Sequence, residues 1–233
     1  MVATLIWAFL SINAYSQQQL ELIDSISVKA VKSTRIDPLG NFYVVKKDNS
    51  ILLIKKDGTI FTHNEKSLGD VYNLDVSNPM RILIVYAEAG TIMFLDNTLT
   101  EMGKVPLSNF NIYGTNAVAG ISKLGGFWIY DPIGQSLSRY AIDGTKYSGT
   151  QLNNSIGSFK PLQLIEKNNI VYISTLQSGL YTFDINGTYI SRFNAALNIG
   201  FNFQATNQHL IWAGDEVLNL LNLKSLEENK VPL

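Results

Sequence analysis

Residues 82–86, Ile-Leu-Ile-Val-Tyr, form an uninterrupted run of bulky side chains that favour β-structure. Similar runs recur at Phe42–Val45, Phe127–Tyr130, Ile170–Ile173 and Leu210–Ala213. The first residues of the five runs are separated by 40, 45, 43 and 40 residues. Continuous apolar runs of this kind are typical of strands that are covered on both faces. The sequence therefore predicts five repeats, each with a central strand buried on both sides.

Two kinds of turn signal follow the first four runs in constant order. Dipeptides that tolerate positive φ come first, at Asp57-Gly58, Asp96-Asn97, Asp143-Gly144 and Asn186-Gly187. An apolar residue close before a glycine comes next, at Leu68-Gly69, Ile112-Tyr113-Gly114, Ile156-Gly157 and Ile199-Gly200. The first signal indicates a hairpin and the second a turn with an apolar plug between units. Each repeat therefore has strands a, b and c, a hairpin turn, and strand d.

Four-stranded repeats of 40 to 45 residues have the size of propeller blades. We predict an all-β protein, a five-bladed β-propeller of four-stranded antiparallel blades, with a six-bladed or incomplete ring as the alternative. Residues 17–233 would form one domain. The predicted blades are 28–66, 67–111, 112–154, 155–197 and 198–233.

Two segments compete to complete the last blade. Counting back one repeat places Leu20 to Ser27 in the position of a strand d, whose own blade lies at the C-terminus. Glu227 to Leu233 fall in the same position of the last blade. We expect residues 17–27 to close the ring, with the C-terminal residues as an added edge or a loose tail. A chain that closes its ring only with another chain is a further alternative.

The composition excludes several kinds of chemistry. Eighteen basic and nineteen acidic residues give a net charge of −1, which provides no field for a nucleic acid. The absence of cysteine excludes disulfides, thiolate zinc sites and catalytic thiols. Only His63 and His209 could serve a metal site or a catalytic triad. We therefore predict no catalytic residue, no metal and no cofactor.

The N-terminus has the pattern of a secretory signal. Val2 to Leu10 are almost entirely apolar, and Ala14 and Ser16 place small residues at the −3 and −1 positions of a cut before Gln17. No lysine or arginine precedes the apolar run, which departs from the usual pattern. The run is also shorter than the roughly 20 residues of a membrane span. We predict cleavage between Ser16 and Gln17 and no membrane span in the mature chain.

Three segments resemble the blades of bacterial sensor-type and NHL-like propellers, namely Asp37–Val44, Asn169–Thr175 and Gly179–Gly187. The Trp-Asp pair of WD40 repeats is absent. A signal ending in Ser-Gln on a cysteine-free propeller is also similar to small exported proteins of Bacteroidota that accompany type IX secretion and gliding. This resemblance implies a periplasmic or outer-membrane-associated protein whose partner is another envelope protein.

Candidate partner-binding residues lie on one end of the predicted blades. Loops between strands b and c, and connections between blades, open at this end. The candidates are the acidic Asp48, Glu88, Asp131, Asp215 and Glu216, and the aromatic Tyr113 and Phe201. Carboxylates on a rim could meet a basic partner, although turns commonly carry Asp. Exposed aromatic residues are typical of interface hot spots.

Two functions are consistent with these features. The first is a non-enzymatic protein–protein interaction module of the cell envelope, which could be an accessory component of type IX secretion or gliding machinery. The second is a propeller enzyme or small-ligand binder that uses the central channel, with Asp131, Asp215 and one arginine as contributors. Clustering of these three side chains would favour the second function.

Overall fold

The computed structural model describes residues 25–113, 116–152, 156–176, 178–193, 203–214 and 216–232. These residues contain one short 3-10 helix, Leu107–Phe110, and twenty strands. The strands are β1 Val31–Ile36, β2 Phe42–Lys46, β3 Ile51–Ile54, β4 Ile60–His63, β5 Val71–Asp75, β6 Ile82–Tyr86, β7 Thr91–Leu95, β8 Glu101–Pro106, β9 Val118–Ile121, β10 Phe127–Asp131, β11 Ser136–Tyr140, β12 Lys146–Gln151, β13 Pro161–Lys167, β14 Ile170–Thr175, β15 Leu180–Asp184, β16 Tyr189–Phe193, β17 Phe203–Ala205, β18 His209–Ala213, β19 Val217–Asn222 and β20 Glu228–Pro232.

The strands form five separate sheets of four antiparallel strands in a β-propeller arrangement. The sheets are β1-β2-β3-β4, β5-β6-β7-β8, β9-β10-β11-β12, β13-β14-β15-β16 and β17-β18-β19-β20. Within each sheet, strands that are consecutive in sequence pair with one another. The predicted fold class and the order of strands a to d are therefore confirmed.

The apolar strand b divides its side chains between two neighbouring sheets. In β6, Leu83 and Val85 join the core cluster shared with the third sheet, whereas Ile82, Ile84 and Tyr86 join the one shared with the first. Similar clusters join the third sheet to the fourth and the fourth to the fifth. Successive side chains of a strand point to opposite faces, so both faces must be apolar when both are covered. This explains the absence of polar alternation in the five runs.

The glycine connections between sheets adopt the predicted role. Gly69 and Gly157 have φ of +78° and +75°. The apolar residue before the turn packs against a core cluster in each case, as shown by the partly buried Leu68 and Ile156. Gly114 and Gly200 lie outside the described residues.

Four c–d hairpins share one turn geometry. Each has the same pair of backbone hydrogen bonds across five residues and a threonine in the last position, at Thr59, Thr100, Thr145 and Thr188. Glycine takes the positive φ in three of them, but in the second hairpin Leu99 does so, at +61°. The predicted turn pair Asp96-Asn97 lies at the start of that loop and does not contain the residue with positive φ. The Asp96 carboxylate accepts the backbone N–H groups of Thr98 and Thr100 at 2.8 and 2.9 Å.

The C-terminal residues form a regular strand. β20 pairs with β19 over its whole length and is the fourth strand of the last sheet. The expectation of an added edge or loose tail is therefore corrected, because the position beside β19 is already filled. Of the segment 17–27, residues 17–24 lie outside the described residues, and 25–27 form no strand.

Replacing a leucine shared by two sheets should destabilise the fold far more than replacing an exposed one. Leu83 is fully buried and Leu124 is 55% exposed. Leu83→Ala should lower the free energy of unfolding by about 2–5 kcal/mol, and Leu124→Ala by less than about 0.5 kcal/mol. Urea unfolding measures both values. Equal losses would contradict the assignment of the core.

Lowering the pH should remove the stability that the aspartates of the c–d hairpins contribute. Hydrogen bonds from Thr98 lower the pKa of Asp96. A carboxylate whose pKa is lowered on folding stabilises the fold above its unfolded pKa, about 3.9, and loses this effect as the pH falls through the folded value. Asp96→Asn should therefore cost stability at pH 7, and the difference from the wild type should shrink below about pH 4. A difference that stays constant from pH 7 to pH 3 would contradict this.

Candidate functional site

The turns of each sheet fall into two groups at opposite ends of the strands. Because consecutive antiparallel strands reverse direction, a–b and c–d turns lie at one end, and b–c loops and connections between sheets lie at the other. We call these ends the a–b face and the b–c face. The first is marked by the turns at 37–40, 78–81 and 122–125, and the second by the loops at 47–50, 87–90 and 132–135.

The acidic candidates on the b–c face are partly used inside their own loops. Asp48 is exposed, and its carboxylate accepts the backbone N–H and the hydroxyl of Ser50 at 3.1 and 2.6 Å, which lowers its pKa. Asp131 is buried and accepts the N–H of Ile133 at 3.0 Å. These two carboxylates therefore shape turns.

Two other acidic candidates, Glu88 and Glu216, are exposed on separate sheets. Glu88 lies against Gly69 in the connection between the first two sheets. Glu216 is exposed before β19, and Asp215 lies outside the described residues. Among the described residues, no group of three His, Cys, Asp or Glu side chains could hold a metal ion.

Apolar side chains are prominent on the b–c face beside the third and fourth sheets. Tyr113 is 78% exposed, as expected from its position next to a glycine. Ile133 is 76% exposed at the tip of the loop after β10, and Leu176 is 45% exposed in the loop after β14. The sequence analysis missed these two, although an isoleucine between Pro132 and Gly134 in a predicted loop could have identified the first. Phe201 lies outside the described residues.

Most of the other aromatic residues near the connections are buried. Phe159 stacks between Tyr130 and Tyr181, with centroid distances of 4.7 and 4.2 Å. Phe110 and Phe203 are also buried. These rings fill the space between sheets and leave Tyr113 as the exposed aromatic residue of the described connections.

The inner strands carry polar side chains that bind the backbone of the next sheet. The amide of Asn73 donates to the carbonyl of Ala119 at 2.6 Å. The amide of Gln163 donates to the carbonyl of Phe203 at 3.0 Å, and its oxygen accepts the N–H of the same residue at 3.3 Å. Both side chains are buried. They pair backbone groups on the inner edges of the sheets, which would otherwise be costly to bury.

The inner strands also carry buried charged side chains. Asp75 accepts the N–H of Ile121 at 2.7 Å and that of Ser77 at 2.8 Å. Burial raises the pKa of this carboxyl, opposed by these hydrogen bonds and by the charge of Arg35. Burial likewise lowers the pKa of Arg35 to about 10, while Asp75 opposes the shift. The sequence analysis missed this pair because the two residues are forty positions apart.

Glu166, on the inner strand β13, links the fourth sheet to the third. Its Oε2 accepts the indole N–H of Trp128 at 2.7 Å and the hydroxyl of Ser122 at 2.8 Å. All three residues are buried. This carboxylate therefore satisfies two donors that have no access to water.

The inner strands of the second, third and fourth sheets pack directly on one another. The hydroxyl of Tyr72 donates to the carbonyl of Pro161 at 2.9 Å, which joins the second sheet to the fourth. A Cβ on Gly120 would lie 2.7 Å from the carbonyl oxygen of Leu164. Only glycine permits this close approach of β9 and β13. The inner strands of these three sheets are therefore in direct contact with one another.

Comparisons with known proteins support the architecture. No family model and no curated protein matches the sequence. The fold is similar to that of virginiamycin B lyase from Staphylococcus aureus, with a TM-score of 0.59 and 12% identity over 87% of this chain and 70% of the lyase.

Two further solved structures come from Bacteroidota. PorZ, a surface component of the type-IX secretion system of Porphyromonas gingivalis, has a TM-score of 0.57 and 11% identity over 89% of this chain and 28% of its own. A protein of unknown function from Bacteroides thetaiotaomicron has a TM-score of 0.60 and 14% identity over 87% of this chain and 58% of its own. At these identities the likeness shows the propeller fold alone. In the part of the chain that the structure describes, no helix has the length and apolar character of a membrane span.

Removing the carboxylate of Glu166 should be costly. Glu166→Ala leaves the buried donors of Trp128 and Ser122 without an acceptor, at about 1–3 kcal/mol for each group. Glu166→Gln retains one carbonyl oxygen that can accept both donors, so it should lose less. Urea unfolding followed by tryptophan fluorescence measures both. If the two variants unfold like the wild type, this carboxylate does not stabilise the contact between the sheets.

Proposed function

We propose that the protein is an exported, non-enzymatic protein–protein interaction module of the bacterial cell envelope. It presents the b–c face beside the third and fourth sheets to another envelope protein. Tyr113, Ile133 and Leu176 provide the apolar contacts, and exposed carboxylates such as Glu88 and Glu216 form the polar rim.

The exposure of Tyr113 and Ile133 carries this proposal. Most aromatic and branched side chains near the loops of this end are packed between sheets, but these two leave about three quarters of their surface in water. Large apolar side chains that are exposed together with a polar rim are typical of protein-binding surfaces. A rigid ring beneath them keeps the loops in place without an ordering cost at binding.

The setting in the envelope rests on two supports. The apolar segment Val2 to Leu10, with small residues before Gln17, has the pattern of an export signal. The fold is also similar to PorZ, which is a surface component of a secretion system. We extend these supports to a role as an accessory component of type IX secretion or gliding machinery.

The alternative function, an enzyme or small-ligand binder that uses the central channel, has less support. The likeness to virginiamycin B lyase is one of fold. Of the contributors considered for this function, Asp131 holds its own turn, Arg35 faces Asp75, and Asp215 lies outside the described residues. The hydrogen bond between Tyr72 and Pro161 also joins the inner strands of the second and fourth sheets, which leaves less room for a ligand between them.

A crosslinking experiment tests the proposed surface. The full chain with a C-terminal tag is expressed in its native cells, crosslinked, and purified from the envelope fraction. The wild type should recover a specific envelope protein, and the double variant Tyr113→Ala/Ile133→Ser should reduce this recovery at least about tenfold, as expected for hot-spot residues. Mass spectrometry of the purified chain also tests cleavage between Ser16 and Gln17.

Tyr147→Ala is the matched control, because Tyr147 is 55% exposed on the outer strand β12. This variant should recover the partner as well as the wild type does. Thermal unfolding verifies that all variants are folded. Recovery of no protein above background, or equal recovery by the double variant, would refute the proposed surface.

A further inference from the structure

The a–b face carries a second set of exposed apolar side chains, which the proposed function does not use. Leu39, Met80 and Leu124 are 59%, 62% and 55% exposed. Each occupies the third position of the a–b turn of its sheet, as shown by the turn hydrogen bonds from Gly40, Arg81 and Gly125. The same turn position is thus apolar in three consecutive sheets.

The corresponding turns of the last two sheets are polar. Asn168 and Asn169 form the turn of the fourth sheet, and Thr206 to Gln208 that of the fifth. Asn168 donates to the carbonyl of Asn207 at 2.8 Å, so these two turns bind each other. The apolar tips are therefore confined to one side of the face.

A groove of about 270 Å³ lies between the first two apolar tips. Leu39 and Tyr43 line it from the first sheet, and Pro79, Met80 and Asn97 from the second. Its volume falls below the roughly 300–1,000 Å³ of pockets that enclose a drug-sized ligand. It is large enough for one or two side chains of a longer ligand that continues across the face.

Two lysines and one aspartate give the lining of this groove a net positive charge. Lys55 and Lys56 line it, and among the described residues neither ammonium group forms an ion pair with a carboxylate. Lys56 lies over Gly40, and the ammonium of Lys55 lies 4.7 Å from the ring centroid of Phe61. Asp57 is the one acidic lining residue, and its carboxylate, which accepts the N–H of Thr59 at 2.9 Å, keeps its charge. Hydrogen bonds within their own turns lower the pKa of both Asp57 and Asp96, and the charge of Lys55 lowers both further.

We propose that this groove binds an extended acidic segment of a partner protein, with an apolar side chain between Leu39 and Met80 and carboxylates at Lys55 and Lys56. The amide of Asn97 donates to the sulfur of Met80 at 3.8 Å and holds this side chain at the groove. Leu124 continues the apolar line on the third sheet and contacts the same segment further along. This site lies on the opposite end of the propeller from the surface of the proposed function and is independent of it.

A peptide selection on the purified full chain tests this site. A library of random dodecapeptides displayed on phage should yield sequences with an apolar residue flanked by Asp or Glu. The dissociation constant of the selected peptide is then measured by fluorescence anisotropy. Lys55→Glu/Lys56→Glu and Met80→Asp should each weaken binding at least about tenfold.

Matched controls separate the site from general charge and hydrophobicity. Lys29→Glu/Lys66→Glu makes the same change of charge near the b–c face, and Met102→Asp makes the same apolar-to-acidic change on β8. Both should bind the peptide like the wild type, and so should Tyr113→Ala/Ile133→Ser, whatever the result for the surface of the proposed function.

Three outcomes would overturn the proposal. The selection could yield no acidic, apolar sequence, or the selected peptide could bind the groove variants as tightly as the wild type. Alternatively, the wild type could sediment with phosphatidylglycerol vesicles and the groove variants could fail to do so. The last result would assign the apolar tips and lysines to an anionic membrane surface.

Discussion

The burial of strand b between two neighbouring sheets is the constraint on which the rest of the structure depends. In β6 alternate side chains enter the clusters shared with the first and the third sheet, and no face is left for polar residues. A single sheet of this composition would expose a large apolar surface, so each sheet is stable only between its neighbours. Without cysteine, this packing must supply most of the free energy of folding. The regular spacing of the apolar runs follows from it, because each sheet needs the same four strands to span the distance from the axis to the rim.

The inner strands face a different requirement. A strand at the edge of a sheet has unpaired N–H and C=O groups, and near the axis these groups are buried. Asn73 and Gln163 meet this requirement by hydrogen-bonding the backbone of the next sheet, and the charged side chains of Asp75 and Glu166 accept the N–H groups of Ile121 and Lys123. Charged groups are costly to bury unless every lone pair is used, so this layer also fixes the position of neighbouring sheets.

These two requirements explain which features could be predicted from the sequence. The repeat, the strand order and the hairpins depend on local composition, such as the run at 82–86 and the pair Asp57-Gly58, and they were predicted. The electrostatic interaction between Asp75 and Arg35 could not be predicted, because it depends on how two repeats face each other across an interface. The role of Leu99 in its turn was also missed, since leucine rarely takes positive φ, and here its buried side chain in the first core cluster offsets the strain.

Prediction of the binding surfaces was limited for a related reason. Tyr113 was identified because aromatic residues beside glycines stand out in a sequence, whereas the equivalence of Leu39, Met80 and Leu124 becomes visible only when the three turns are superimposed by their hydrogen bonds. A single exposed leucine has no meaning by itself, but the same turn position occupied by an apolar residue in three adjacent sheets places three exposed apolar side chains on one face. In a propeller, loops that are far apart in sequence are placed side by side by the packing of the sheets. Binding surfaces therefore arise from the arrangement of the repeats, and the sequence of any one repeat does not contain them.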